Sequence, residues 1–169
     1  MTGRPDENEY AAYYNRYVSL VSGSDVLAEL DAQLPEVHRV FASVPPEREE
    51  YRYAPGKWSI REVLGHIIDG ERAFGYRVFA ISRGEKAPLP SFDQDTFVAG
   101  GRYAARPLQE LLVEFELVRR ANLEVVRHVA DEDWLRMGTV ANNPVSARAV
   151  TFVMAGHVRH HLNVLRTSY

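Results

Sequence analysis

Apolar residues recur along this chain with the period of a helix. In the last segment Val150, Met154, His157, His161, Val164 and Leu165 follow the i, i+3, i+4, i+7 spacing of an inward face, and two of the six are histidines. An earlier segment sets Ile60, Val63, Leu64, Ile67, Ile68, Phe74, Val78 and Phe79 inward, with Glu62, His66, Asp69, Ala73 and Arg77 on a stripe along the edge of that face. It opens on Ser59-Ile60-Arg61-Glu62, a capping box in which serine and glutamate satisfy each other's free N–H groups, and predicts a helix from about Ser59 to Ser82. Pro107 suits the first position of a third helix, with the stripe Leu108, Leu111, Leu112, Phe115, Val118, Asn122, Val125, Val126, Val129. A fourth, capped by Ser24 or Asp25, carries Val26, Leu27, Leu30, Leu34, Val37, Val40 and Phe41, with a kink expected at Pro35. Tyr10, Tyr13, Tyr14, Tyr17 and Val18 also have helical spacing. Strand signals are nearly absent, so the pattern predicts an all-α four-helix bundle.

The breaks between these segments are clear. Residues 43–58 carry Pro45, Pro46, Pro55 and Gly56 and form a connector. The stretch from Arg83 to Arg106 is long for a compact domain, the mark of a lid or a crossover, with a short helical turn expected near Asp95 to Ala99. A last break spans residues 130–134, Gly138 and Asn142-Asn143-Pro144, after which the final helix is expected from about Val145.

A length of 169 residues fits one domain over positions 1–169, and 46% hydrophobic with 25% charged residues is a globular profile. The net charge of −3, with no dense basic stripe, argues against nucleic acid as a partner. No cysteine is present, which excludes disulfides, cysteine-ligated zinc and a cysteine nucleophile. The first residues lack a signal-like apolar run and no window of about eighteen apolar residues occurs, so no membrane partner and a cytoplasmic location are expected.

The chemistry concentrates on histidine. His157 and His161 share a helix face, and buried imidazoles need a hydrogen-bonding or metal partner. Spacing alone does not separate that reading from histidines that favour a helix C-terminus or reach the surface. His66 lies about seven residues from the start of its helix and His161 about seven from the end of the last. Antiparallel packing therefore brings them to one height, whereas parallel packing offsets them by ~13 Å. Gly65 and Gly156 each precede a histidine, as glycines do where a backbone or ligand comes close or where helices cross. Three imidazoles without cysteine leave a divalent metal an open position for water or substrate; zinc, nickel, iron and manganese all suit such donors. Asp69 and Glu62 are candidates to fix a ring tautomer, or are ordinary surface charges. His160, one turn from His157, is an alternative to His161.

The segments Gly56-Lys57-Trp58-Ser59, Gly65-His66 through Asp69 and Glu71, Phe92-Asp93-Gln94-Asp95, and Gly156-His157 through His161-Leu162 resemble the DinB-like superfamily, close to its YfiT-type metal-binding four-helix proteins. The resemblance covers nearly the whole chain. It implies a four-helix bundle with a long crossover and a metal held by one histidine of the second long helix and two of the last, which fall here on His66, His157 and His161. Members include bacillithiol- or mycothiol-dependent transferases and metal-dependent hydrolases. The expected function is a metal-dependent thiol S-transferase or hydrolase acting on a small molecule, with a low-molecular-weight thiol as a candidate partner; the rival expectation is a stress-related bundle whose metal only stabilises the fold. A homodimer is expected from the tyrosine-rich first segment, whose alternative role is to cover the core.

Overall fold

The computed structural model describes residues 3–169. Among these, the helices are α1 (Asn15–Val18), α2 (Val26–Ala42), α3 (Ile60–Ser82), α4 (Gln94–Gly101), α5 (Leu108–Arg127) and α6 (Ala147–Ser168). Each long helix but α5 starts on a side-chain cap. Asp25 accepts from the Ala28 N–H, Ser146 from the Ala149 N–H, and at α3 the Ser59 hydroxyl and the Glu62 carboxylate close the expected box. α2 continues through Pro35.

The long helices form a four-helix bundle in which α3 packs on α5 and α6, and α2 packs on the same two. Side-chain pairs give the directions. The Tyr169 hydroxyl at the end of α6 donates to the Trp58 carbonyl before α3 (2.5 Å), so these two helices are antiparallel. α3 and α5 are parallel: Arg61 at the start of α3 donates to the Ala104 carbonyl just before α5 (2.7 Å), and Glu71, midway along α3, meets Asn122 well along α5. Connecting two parallel neighbours requires the chain to return along the bundle, and the stretch between Ser82 and Leu108, with α4 inside it, makes that crossover.

Three expectations are corrected. The tyrosine-rich segment forms only 3-10 turns and the single turn α1; Tyr10 and Tyr17 go into the core and Tyr13 is left exposed. The break before α6 is a hairpin, β1 (Met137–Val140) with β2 (Asn143–Ser146), turning on Ala141 and Asn142, both at positive φ (48° and 64°). Asparagine tolerates that conformation, and such two-residue turns suit hairpin twist. The crossover adds to it, since Leu89 N–H donates to the Thr139 carbonyl (2.8 Å) and the Leu89 carbonyl accepts from Ala141 N–H (3.1 Å). Finally, Phe79 is exposed, and Arg119 rather than Val118 occupies the inner face of α5.

The core is split at mid-height. One apolar cluster contains Leu30, Phe74, Leu123 and Phe152, the other Phe41, Ile67, Phe115 and Leu162. Between them runs a polar layer built from every long helix. Arg119, fully buried, donates to Glu71 through Nε (2.8 Å) and Nη2 (2.6 Å) and through Nη1 to the Leu30 carbonyl (2.9 Å) and Gln33 Oε1 (3.1 Å). Gln33 Nε2 donates to the Ala155 carbonyl of α6 (2.9 Å), and Asn122 Nδ2 to the Glu71 carbonyl (2.9 Å). Removing one member strands a buried charge. Arg119→Met is therefore expected to lower the unfolding free energy by about 3–5 kcal/mol in urea titrations, and Arg119→Met with Glu71→Leu by much less; equal losses would mean that the pair is not what the layer depends on.

Candidate metal centre

The polar layer continues into a histidine cluster. Because α3 and α6 are antiparallel, His66 meets His157 and His161 at one level of the bundle. Ring centroids lie 4.8 Å apart for His66 and His157, 4.7 Å for His66 and His161, and 4.6 Å for His157 and His161. One nitrogen of each falls within 4.8 Å of the others, and the Nε2 atoms of His66 and His157 are 2.9 Å apart. His66 and His157 are buried, and His161 is half-buried. His160 lies beside the group, its ring 4.9 Å from His161 and 5.8 Å from Tyr17.

The surroundings hold the rings. Trp58 lies 4.6 Å from His66, and Tyr17 and Phe74 lie 5.5 Å and 5.3 Å from His157. At Gly70 a Cβ would fall 2.7 Å from His157 Cε1, so the absence of a side chain there makes the seat for the ring. Gly156 admits the Tyr17 backbone carbonyl, 2.1 Å from where its Cβ would stand, and Gly65 admits the Tyr103 ring in the same way. Both Gly-His glycines thus serve close packing, one against backbone and one against an aromatic ring.

Burial keeps these imidazoles uncharged. It lowers the pKa of His66 to about 4, helped by the nearby His160, and those of His157 and His161 well below the ordinary value, helped by the neighbouring histidines. Neutral imidazole is the ligating form. The ε nitrogens of His66 and His157 can share one proton, but His66 Nδ1 is buried with no partner. A donor set of neutral nitrogens converging on one point, with a polar atom left unpaired, fits a borderline divalent cation.

The two acids flanking His66 diverge. Glu62 closes the α3 cap and pairs with Arg52. Asp69 accepts from the Tyr103 hydroxyl (2.6 Å) through Oδ1, while its Oδ2 is buried without a partner and burial raises its pKa.

Cavities open on both sides of the cluster. One of about 390 Å³ reaches His160 and His161 between Lys57, Trp58, Asp95 and Tyr169. The other, about 350 Å³, reaches His66 and His157 between Tyr17, Arg77, Phe92 and Asp93. Gln94 at the start of α4 lines both. Gln94 lay in a segment that carries the family resemblance and Arg77 on the polar stripe with His66, whereas nothing in the sequence pointed Tyr17 or Gly70 toward the histidines.

The family model of the DinB superfamily matches residues 29–165. No curated protein sequence matches the chain. Among solved structures, YfiT from Bacillus subtilis, described as a probable metal-dependent hydrolase with an unusual four-helix bundle topology, superposes with a TM-score of 0.72 at 16% identity over 98% of this chain and 90% of that one. A mycothiol-dependent maleylpyruvate isomerase superposes with a TM-score of 0.71 at 14% identity over 88% of this chain and 62% of that one. These likenesses establish a common fold. Among the described residues no helix is long and apolar enough to cross a membrane.

The lowered pKa of His66 has a testable sign. Between pH ~6.5 and about 4 the unfolded chain binds a proton at this position that the native ring refuses, so stability falls as pH falls through that window. In metal-free protein, wild type is expected to lose unfolding free energy between pH 6.5 and 5 more steeply than His66→Gln, by up to about 1.4 kcal/mol per pH unit; parallel profiles in urea titrations would show a ring that titrates normally.

Proposed function

We propose that this chain, which belongs to the DinB superfamily, is a metal-dependent enzyme that holds a divalent cation through His66, His157 and His161 and acts on a small molecule by thiol transfer or hydrolysis. The observation that carries this reading is the convergence of three neutral imidazoles, two buried and one half-buried, with no fourth histidine or acid in the group among the described residues. Structural zinc sites close their shell with four protein ligands, whereas catalytic sites keep a position open. Zinc and nickel are the first candidates, with iron and manganese as alternatives. A bound divalent ion would supply Lewis acidity, favouring the hydroxide or thiolate form of an exogenous ligand.

The protein's own residues do the positioning. Trp58, Tyr17 and Phe74 fix the imidazole planes and limit water on their sides of the cluster. Of the two acids, Asp69 keeps a carboxylate oxygen without a partner and so is the freer to hold a proton, since Glu62 is already committed to Arg52 and the α3 cap. The 390 Å³ and 350 Å³ cavities give a small substrate and a thiol separate approaches to the histidines. The absence of cysteine fits a thiol brought by a cosubstrate and fits hydrolysis equally. The descriptions of the two structural neighbours, one a probable metal-dependent hydrolase and one mycothiol-dependent, support both chemistries.

Elemental analysis of untagged protein tests the reading. Wild type is expected to carry about one metal per chain, lost in His66→Ala and in His157→Ala/His161→Ala. Gly70→Ala, which pushes the His157 ring from its seat, is expected to weaken uptake by about 10-fold or more while the helices remain intact by circular dichroism. Wild type that takes up none of zinc, nickel, iron or manganese would sink the reading. Metal bound without exchangeable water would favour the rival, a stress-related bundle stabilised by its ion.

A further inference from the structure

Arg77 is a buried cation without a carboxylate. Its side chain is 6% exposed, Nη2 donates to the Pro90 carbonyl (2.8 Å), and its guanidinium carbon lies 5.5 Å and 5.6 Å from the Phe74 and Phe92 ring centroids. Other arginines drawn into this fold are neutralised: Arg119 by Glu71, Arg148 by Glu9, and Arg159 by Glu29 and Glu36. Arg77 forms no such pair among the described residues, although guanidinium carries five donors and burial of an uncompensated charge is costly. Burial accordingly lowers its pKa.

The unpaired fork lines the 350 Å³ cavity that also exposes His66 and His157. Eleven residues separate His66 from Arg77, three helical turns, so both lie on one face of α3, and a helical side chain leans back toward the N-terminus, here toward His66. Arg16 adds a second cation at the cavity wall. It donates to the hydroxyls of Tyr17 (2.7 Å) and Tyr13 and likewise has no carboxylate partner. Asp93 contributes the opposing charge, but its carboxylate caps α4 by accepting from the Thr96 N–H (2.7 Å).

We propose that this cavity is an anion subsite in which Arg77, assisted by Arg16, seats a carboxylate of the small-molecule substrate beside the histidine cluster. The assignment rests on the reading of the cluster as an enzyme site and extends it to a substrate class. A planar fork pairs two N–H groups with two oxygens of a carboxylate or phosphate. One buried fork with Asp93 nearby favours the group of lower charge, the carboxylate.

The test is calorimetric titration of the chelator-treated full chain with succinate, with its neutral counterpart succinamide, and with inorganic phosphate. Succinate is expected to bind, succinamide not, and phosphate more weakly than succinate. Arg77→Gln is expected to weaken succinate by about 10-fold or more, and the exposed Arg16→Gln by less. If Arg77→Gln does not fold, the side-chain Nε–H resonance of Arg77 in the wild type carries the test, shifting with succinate and not with succinamide. Equal response to succinate and succinamide, or unchanged succinate affinity in folded Arg77→Gln, would overturn the subsite; phosphate binding tighter than succinate would overturn the carboxylate assignment. Because the metal has been removed, succinate binding by a chain that takes up no metal would leave the subsite standing and defeat only the enzyme reading.

Discussion

The buried pair of Arg119 and Glu71 is the constraint on which the rest of the bundle depends. A four-helix bundle with a wholly apolar interior can slide one helix past another by a turn at small cost. Here the guanidinium must meet Glu71 on α3 and the Leu30 carbonyl and Gln33 on α2, and Gln33 must in turn meet the Ala155 carbonyl on α6. A slip of one turn on any helix would set a charge against leucine and phenylalanine. The layer separates the two apolar clusters and sets the relative heights of all four helices.

That vertical alignment is what a site divided between helices needs. His157 lies one residue beyond Gly156 and two beyond the Ala155 carbonyl that Gln33 holds, and Gly70 precedes Glu71. The same level of the bundle thus carries both the charge network and the imidazoles, and the elements that keep the network in register also keep three rings within reach of one another. The histidines differ from the network in one respect. Arg119 and Glu71 satisfy each other, whereas the imidazoles are kept neutral by burial and left with an unpaired nitrogen.

Much of this was legible in the chain. The 3.6-residue period located the long helices, and the Ser59 to Glu62 box placed the start of α3 to within a residue. Counting positions from two helix ends brought His66 level with His161, because rise per residue is nearly constant in helices. The polar layer was less visible, since it depends on which arginine turns inward. Arg119 stands four residues after Phe115, on the apolar face, but Val118 beside it fits a hydrophobic stripe better and drew the assignment. The hairpin was hidden because Asn142-Asn143-Pro144 reads as a break and four-residue strands leave little alternation to detect. Tyr17 and Gln94 reach the site through tertiary packing alone, which periodicity does not encode.

The hairpin has a consequence for how such a protein can vary. Leu89 is bonded to it on both sides of its peptide, Pro90 receives Arg77, and Phe92 to Gln94 follow directly as cavity wall. A substitution at the Ala141-Asn142 turn, outside both cavities, therefore changes the footing of the segment that lines one of them. Changes in this small ribbon and changes in the cavity wall therefore act on one connected segment and are to be read together.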